Sequence, residues 1–138
     1  MNEPATGNSS AKPSQAFGGL LVIDTTHVLA GPFASYQLGA LGAEVIKVEA
    51  PDDPDQARAQ GSDRAMSDIG MGTAFMAQAS NKKALALDLK TEAGREALKR
   101  LIATADVFVE NYRPGAFEEL GLGYDEMSKL NPRLIYCS

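Results

Sequence analysis

The stretch LLVIDTTHVLAGPFASYQLGALGAEVIKVE, residues 20–49, decides the fold. It opens with Leu20–Asp24, a short and continuously apolar run that is typical of a strand buried on both faces of a parallel sheet. Gly31–Pro32 before Phe33–Leu41, and Gly42 after it, are the residues expected at the two ends of a helix. Glu44–Glu49 is a second apolar strand, so the stretch predicts a β-α-β unit.

The same alternation continues towards the C-terminus. Three further strands are predicted at Ala84–Leu89, Asp106–Glu110 and Arg133–Cys137, and helices at 91–104, 114–119 and 125–130. Alternating strands and helices predict an α/β fold with a twisted, mostly parallel sheet and helices on both faces. Because the last predicted strand has no helix after it, we expect the sheet to be incomplete at its C-terminal side.

The chain divides into a tail and one folded unit. Residues 1–19 are rich in Ser, Pro, Gly and Asn, which predicts a disordered tail, and 20–138 form the folded part. Within it, residues 50–72 concentrate acidic residues and turn formers and are too long for an ordinary loop, which predicts a mobile acidic connection. A short helix is expected around Thr73–Ser80.

Composition excludes several classes of protein. The 138 residues carry 13 Lys and Arg against 18 Asp and Glu, a net charge of -5 that speaks against a nucleic-acid partner. One Cys and one His exclude a disulfide framework and a zinc site built from Cys or paired His, and no metal is expected. No apolar run is long enough for a membrane span or a secretory signal, so the expected location is the cytoplasm.

Strand order predicts where a ligand binds. Right-handed crossovers place every strand-to-helix loop at one edge of a parallel sheet, and ligands bind at that edge, beside the carboxyl ends of the strands. The candidate site is therefore formed by His27–Gly31, Ala50–Asp55, Asp88–Thr91 and Asn111–Gly115.

The glycine pattern argues against a nicotinamide cofactor, because only Gly31 lies in the first strand-to-helix turn, where G-x-G-x-x-G is required. Gly31–Pro32 either exposes helix N–H groups to an anion or only sets the turn. Lys90 and Arg113 follow strands and are suited to a phosphorylated ligand, whereas Lys82 precedes its strand and is assigned to the opposite edge.

The remaining reactive residues have structural interpretations as well as functional ones. Lys47 and Glu49 share a face of the second strand and are expected to pair with each other. His27 is either an acid or base near neutral pH or a hydrogen-bonded structural residue. Cys137, inside an apolar strand, is expected to be buried and inert.

Taken in order, four segments resemble the family III CoA-transferases, which include formyl-CoA and carnitine CoA-transferases and methylacyl-CoA racemases. The segments are VIDTTHVLAGPFASYQLGALGAEVIKVEAP (22–51), NKKALALDLKTEAGREALKRL (81–101), ADVFVENYRPGAFEELGLGYDEM (105–127) and LNPRLIYCS (130–138). The resemblance implies a Rossmann-like core, transfer of CoA between an acyl-CoA and a carboxylic acid, and full-length subunits interlocked as a homodimer.

The resemblance also implies site residues. By analogy with formyl-CoA transferase, coenzyme A is held by Leu29, Ala30, Leu87, Asp88, Leu89, Lys90, Asn111, Tyr112 and Arg113. That enzyme has arginines at the positions of Ala50 and Glu119, a glycine at Arg113 and a glutamine at Leu29, so these four positions depart from its pattern. The loss of two arginines weakens the neutralisation of the phosphates, and Leu29 replaces a glutamine near the active site, so the resemblance does not extend to formyl-CoA transferase itself or to its oxalate-type substrate.

The catalytic residue of the family is an aspartate that lies downstream of Ser138, so no residue of this chain is assigned a catalytic role. The sequence therefore predicts the N-terminal, CoA-binding portion of a CoA-transferase that is inactive by itself. Two alternatives remain open: a fragment of an acyl-CoA racemase, and a non-catalytic nucleotide-binding module.

Overall fold

Five parallel strands form one sheet in the computed structural model, which describes residues 15–138. The strands are β1 Leu21–Asp24, β2 Glu44–Glu49, β3 Lys83–Ala86, β4 Val107–Val109 and β5 Ile135–Cys137. Their order is β3-β2-β1-β4-β5, and every neighbouring pair is parallel. The chain thus winds outward from β1 in both directions, as in a Rossmann-like fold, and the α/β prediction is confirmed.

Within residues 15–138, six α-helices connect the strands. They are α1 Ala30–Ala40, α2 Arg64–Asp68, α3 Thr73–Ala79, α4 Glu92–Ile102, α5 Ala116–Glu119 and α6 Tyr124–Leu130. The helix expected around 73–80 is confirmed as α3. The helix after β3 also forms as predicted: Thr91 Oγ1 accepts a hydrogen bond from the Gly94 N–H at 3.1 Å and caps α4.

The sheet is covered on both faces because its central strands are apolar on both. Val22 and Ile23 are adjacent in β1 and therefore point to opposite faces, and both are completely buried. Ile23 packs with Leu98 of α4 and Phe117 of α5, whereas Val22 packs in a second cluster with Val45. Helix α1 contacts β1, β2 and α3.

Close packing of α1 on the sheet depends on a small residue. A Cβ added at Gly39 would lie 3.2 Å from Cγ2 of Val45, tighter than ordinary contact. The glycine therefore lets α1 approach β2.

Two segments differ from the predicted organisation. Residues 1–14 of the predicted tail lie outside the described residues, whereas residues 16–19 form a turn in which the Phe17 N–H donates to the Leu41 carbonyl at 3.0 Å. The acidic connection 50–72 contains a 3₁₀ helix, Gln56–Ala59, and α2. Aspartates cap both: Asp55 accepts from the Ala57 N–H, and Asp63 from the Met66 N–H.

The edge strands are more exposed than predicted. Cys137 is exposed, so the expectation of a buried thiol is wrong: β5 pairs only with β4 and has no neighbour on its other side among the described residues. All four residues of β3, at the other edge, are exposed as well. Within residues 15–138 we find no helix with the length and apolar character needed to cross a membrane.

Candidate functional site

A cavity of about 150 Å³ lies at the carboxyl edge of the sheet, between the loop that follows β3 and helix α5. Its lining is mainly apolar, with polar groups at the margins: Thr25, His27, Val48, Glu49, Ala50, Asp53, Leu87, Asp88, Leu89, Lys90, Tyr112, Ala116, Phe117 and Leu120. Because all five strands are parallel, the loops after β1, β2, β3 and β4 meet here, where strand order placed the site.

The loop after β3 supplies most of the predicted residues in the cavity. Leu87–Lys90 all line it, and hydrogen bonds fix the shape of the loop. The Leu87 N–H donates to the Glu49 carbonyl at 2.9 Å, and Asp88 Oδ1 accepts from the Lys90 N–H at 2.9 Å. Arg95 of α4 donates to the Leu89 and Lys90 carbonyls. The backbone is thus held from both sides while the Lys90 side chain remains exposed.

His27 lies where the loops after β1 and β4 meet. Its N–H donates to Asn111 Oδ1 at 2.8 Å, and Asn111 Nδ2 donates back to its carbonyl at 2.9 Å. The ring Nε2 lies 2.8 Å from the Tyr112 hydroxyl, and the two rings meet edge to face. The histidine therefore has a hydrogen-bonding partner that the sequence did not identify. Burial, with Asp53 and Asp55 nearby, raises the pKa of Tyr112.

Four predicted residues do not line this cavity. Asn111 instead borders a second, more open recess that shares His27, Asp53 and Tyr112 with it. Leu29 and Ala30 lie at the start of α1 and are exposed. Arg113 is exposed and donates to Glu119 Oε2 at 2.7 Å.

The packing around Gly31 indicates that the Gly-Pro pair sets the turn into α1 rather than exposing N–H groups to an anion. A Cβ at this position would lie only 2.4 Å from Cβ of Thr26, so the turn requires a residue without a side chain. Lys82 also contacts this turn, donating to the Pro32 carbonyl at 2.8 Å. Gly31 is therefore explained by packing, without a bound anion.

Ion pairs with buried carboxylates adjoin the site, and one of their members, Glu49, lines the cavity. Lys47 pairs with Asp55 at 2.9 Å and Glu49 pairs with Arg58 at 2.6 Å, so the predicted Lys47–Glu49 pair is wrong. The two side chains do share a face, but each finds a partner in the 50–72 segment, whose fold the sequence did not reveal. Arg58 also stacks on Phe75 of α3, 3.8 Å from the ring centroid.

Lys82 forms the third pair. Its ammonium lies 2.9 Å from Asp24 Oδ2 and 2.9 Å from Ser35 Oγ, and both partners are fully buried. The assignment of Lys82 to the opposite edge is wrong for its charged group, since Asp24 ends β1 at the carboxyl edge. Burial lowers the pKa of Lys82, against the opposing attraction of Asp24.

The carboxylates of these pairs remain ionised despite burial. Desolvation raises the pKa of Asp24, but Lys47, Lys82 and hydrogen-bonding hydroxyls outweigh it and hold the pKa below its ordinary value. The same balance lowers the pKa of Glu49, through Arg58 and the Asp55 N–H. For Asp55, hydrogen bonds from Val28, Lys47 and Ala57 overcome the effect of burial, and its pKa is also lowered.

Four apolar residues of the lining were not predicted from the sequence. Val48, Ala116, Phe117 and Leu120 belong to core-forming elements, and nothing in their pattern distinguishes a cavity wall from an ordinary core position. No group of three or more His, Cys, Asp or Glu suited to a metal ion occurs among residues 15–138.

Comparison with known proteins identifies related sequences over nearly the whole chain. The family model described as CoA-transferase family III matches residues 17–138. Mouse (Mus musculus) succinyl-CoA:glutarate CoA-transferase is 44% identical over 135 residues, which cover 98% of this chain and 30% of that protein. Acetobacter aceti acetyl-CoA:oxalate CoA-transferase is 43% identical over 133 residues, covering 96% of this chain and 33% of the relative. The chain thus spans about a third of the length of these relatives.

Solved structures agree. A crystal structure of the hypothetical protein Rv3272 from Mycobacterium tuberculosis has a TM-score of 0.79 at 41% identity, over 91% of this chain and 33% of its own. A CAIB/BAIF family protein from Brucella suis has a TM-score of 0.79 at 37% identity, over 90% of this chain and 33% of its own.

Proposed function

Because this chain belongs to CoA-transferase family III, we propose that the cavity at the carboxyl edge of its sheet binds the coenzyme A moiety of an acyl-CoA. One observation carries the proposal. A single cavity is lined by five of the residues that the family resemblance assigns to CoA: Leu87, Asp88, Leu89, Lys90 and Tyr112.

The chemistry of the cavity suits this ligand. Coenzyme A combines an aromatic base and a flexible thiol arm, which favour apolar walls, with phosphates, which require cations. The walls are apolar at Val48, Leu87 and Phe117, and Lys90 is exposed at the margin, where a phosphate remains partly in solvent. Glu49 is already neutralised by Arg58 and therefore does not repel the ligand as a free carboxylate would.

The remaining predicted contacts belong to the same proposal. Asn111 borders the second recess, and Leu29 and Ala30 lie at the start of α1. We assign these three residues to the thiol arm of coenzyme A rather than to its nucleotide. Arg113 is assigned to a phosphate, for which it must leave Glu119.

For the whole protein, of which this chain spans about a third, we propose transfer of CoA between an acyl-CoA and a carboxylic acid. An aspartate carboxylate attacks the thioester carbonyl, forms an acyl anhydride and releases CoA thiolate, which then attacks the aspartyl carbonyl to form an aspartyl-CoA thioester and free the donor acid. The acceptor acid attacks this thioester and forms a second anhydride, and the released thiolate attacks the acceptor's acyl carbon, which gives the new acyl-CoA and restores the aspartate. The family resemblance places that aspartate downstream of the segment that ends at Ser138, and we therefore propose that residues 1–138 bind CoA without turnover. A cytoplasmic location and an interlocked homodimer of the full-length protein complete the proposal.

Calorimetric titration of the chain with free CoA tests the binding site. We expect saturable binding that the Lys90→Ala substitution weakens about fivefold, because one phosphate contact is lost. Lys129→Ala is the matched control: Lys129 is an exposed lysine that pairs with Glu126 and lies outside the cavity. Absence of binding by the unmodified chain, or equal weakening by both substitutions, contradicts the proposal.

The proposed absence of turnover is tested by incubating the purified chain with an acyl-CoA and a carboxylic acid. Exchange of the CoA group above the uncatalysed rate contradicts the assignment of this chain as a binding portion only.

A further inference from the structure

Val28 has a backbone conformation that its side chain disfavours. Its φ is 72°, in the left-handed region, where a β-branched residue is a rare outlier. Such a residue keeps this conformation only when its surroundings impose it. Val28 lies between His27, which lines the cavity, and Leu29, which precedes α1, so its φ determines the directions in which both neighbours project.

Hydrogen bonds from three other segments impose the conformation. The Val28 N–H donates to Asp55 Oδ1 at 2.9 Å. With its amide oriented to donate, Gln78 of α3 reaches the carbonyls of Val28 and Leu29, both at 3.0 Å. On the other side of the loop, Asn111 holds both backbone groups of His27.

Asp55 is the buried member of this set, and it is itself rigidly held. Its side chain is 1% exposed, and Oδ2 pairs at 2.9 Å with Lys47, whose side chain is 2% exposed. Lys47 also donates to the Thr26 carbonyl at 2.7 Å, so the pair contacts the loop at two residues, Thr26 and Val28. Oδ1 accepts in addition from the Ala57 N–H at 3.0 Å, which ties Asp55 to the start of the 3₁₀ helix.

We propose that Asp55 is a positioning residue for the candidate site: its carboxylate holds Val28 in the left-handed conformation and thereby sets the positions of His27 and Leu29. The acidic 50–72 segment, whose Ala50 and Asp53 line the cavity, then also shapes the site through the buried carboxylate of Asp55. The part of this inference that concerns ligand affinity rests on the proposed CoA-binding function, whereas the part that concerns the loop does not.

The test separates the hydrogen-bond acceptor from the charge. Replacing Asp55 alone would leave the Lys47 ammonium buried without its partner and risk unfolding. Both test variants therefore carry Lys47→Met. One adds Asp55→Asn, which keeps an oxygen that can accept from the Val28 N–H, and the other adds Asp55→Leu, which does not. The two variants have the same charge and both lack the Lys47 contact to Thr26.

Amide hydrogen exchange, measured by NMR on the full chain, gives the first readout. We expect the Val28 N–H to stay protected in K47M/D55N and to exchange at least about tenfold faster in K47M/D55L. The N–H of Ile23, in the sheet core, should exchange at the same rate in both. Equal Val28 protection in the two variants overturns the proposal, as does faster exchange of Val28 and Ile23 together.

CoA titration of the same two variants gives the second readout. We expect K47M/D55N to bind within about twofold of the unmodified chain and K47M/D55L about tenfold more weakly. Equal affinity of the two variants, together with different Val28 exchange, overturns the role of Asp55 at the site. If the unmodified chain binds no CoA, the proposed function fails while the exchange contrast still decides whether Asp55 holds the loop.

Discussion

Glu119 neutralises the charge of Arg113, a residue that is assigned to coenzyme A. The resemblance assigned Arg113 to coenzyme A, and in the structure its guanidinium is paired with Glu119 at 2.7 Å. Both side chains are more than half exposed, so the pair contributes little to stability. Its effect is on charge: a phosphate that approaches Arg113 meets a cation that is already neutralised.

Removing Glu119 should therefore strengthen CoA binding. We expect Glu119→Ala to raise the affinity about two- to threefold, the range of a single exposed ion pair, because Arg113 is freed and a repelling charge is lost. Glu118→Ala is the matched control, an adjacent exposed glutamate with the same change of charge. Titrations at low salt and at 1 M salt measure the difference, which should vanish at high salt. An equal gain from both substitutions would show that only net charge matters.

The left-handed conformation of Val28 should lower the stability of the fold, and replacing Val28 by glycine measures by how much. Glycine adopts the left-handed conformation without the Cβ clash that costs other residues about 1–2 kcal/mol. Part of this gain is offset by the greater entropy of glycine in the unfolded chain. We expect Val28→Gly to raise the free energy of unfolding by about 0.5–1 kcal/mol, measured by chemical denaturation.

Val28→Ala is the control for that measurement, since alanine loses the β-branch but keeps the Cβ and should give a smaller gain than glycine. The Val28 side chain is 40% exposed, so the loss of its buried surface is small in both variants. A destabilised Val28→Gly chain would mean that the left-handed conformation stores no strain.

Helices and strands are predicted best from the sequence where a single local pattern determines them. β1, α1, β2 and α4 are found within a few residues of their predicted bounds, because apolar runs, a Gly-Pro start and a Thr cap each have a local cause. β3 is less well predicted: it ends at Ala86, before its predicted end at Leu89, and the chain beyond it lines the cavity from Leu87 onwards.

Elements held by long-range pairs were missed. The 3₁₀ helix of the 50–72 segment depends on Asp55, whose position is fixed by Lys47 of β2 and Val28 of the β1–α1 loop. A cluster of aspartates in a sequence has the same appearance whether one of them is buried or all are solvated. The segment therefore reads as a loose acidic connection, although it contains a buried anchor.

For the candidate site as well, one part could be predicted from the sequence and another part could not. Its place at the carboxyl edge follows from strand order, and the loops at Ala50, Asp88 and Tyr112 were predicted to meet there. Which residues of those loops face the cavity depends on side-chain directions that strand order does not specify. Asn111 and Arg113 were expected beside Tyr112, yet only the tyrosine lines the cavity.

Across the whole molecule, buried charge couples the sheet edge to pH. Three buried carboxylates, those of Asp24, Glu49 and Asp55, lie at the carboxyl edge of the sheet and are each paired with a Lys or Arg. Burial raises the pKa of each, but the cations and hydrogen bonds prevail and lower it. Each carboxylate therefore binds a proton less readily in the folded chain than in the unfolded chain.

Acid should consequently unfold the chain through these groups. A carboxylate with a lowered pKa in the folded state contributes its stability at pH values above its unfolded pKa and loses it as the pH falls through the folded value. With ordinary values of 3.8 for Asp and 4.5 for Glu, the free energy of unfolding should be steady near neutrality and fall steeply below about pH 4.5. Urea denaturation at a series of pH values measures this dependence.

The K47M/D55N variant identifies the groups responsible. Because it lacks one of the three carboxylates, its free energy of unfolding should fall less steeply in acid, by up to about 1.4 kcal/mol per pH unit, the contribution of one proton. Exposed acids such as Glu126 are present in both chains and cancel in the comparison. An unchanged slope would mean that acid acts on surface carboxylates, and the buried pair of Lys47 and Asp55 would then have no part in the pH dependence of the fold.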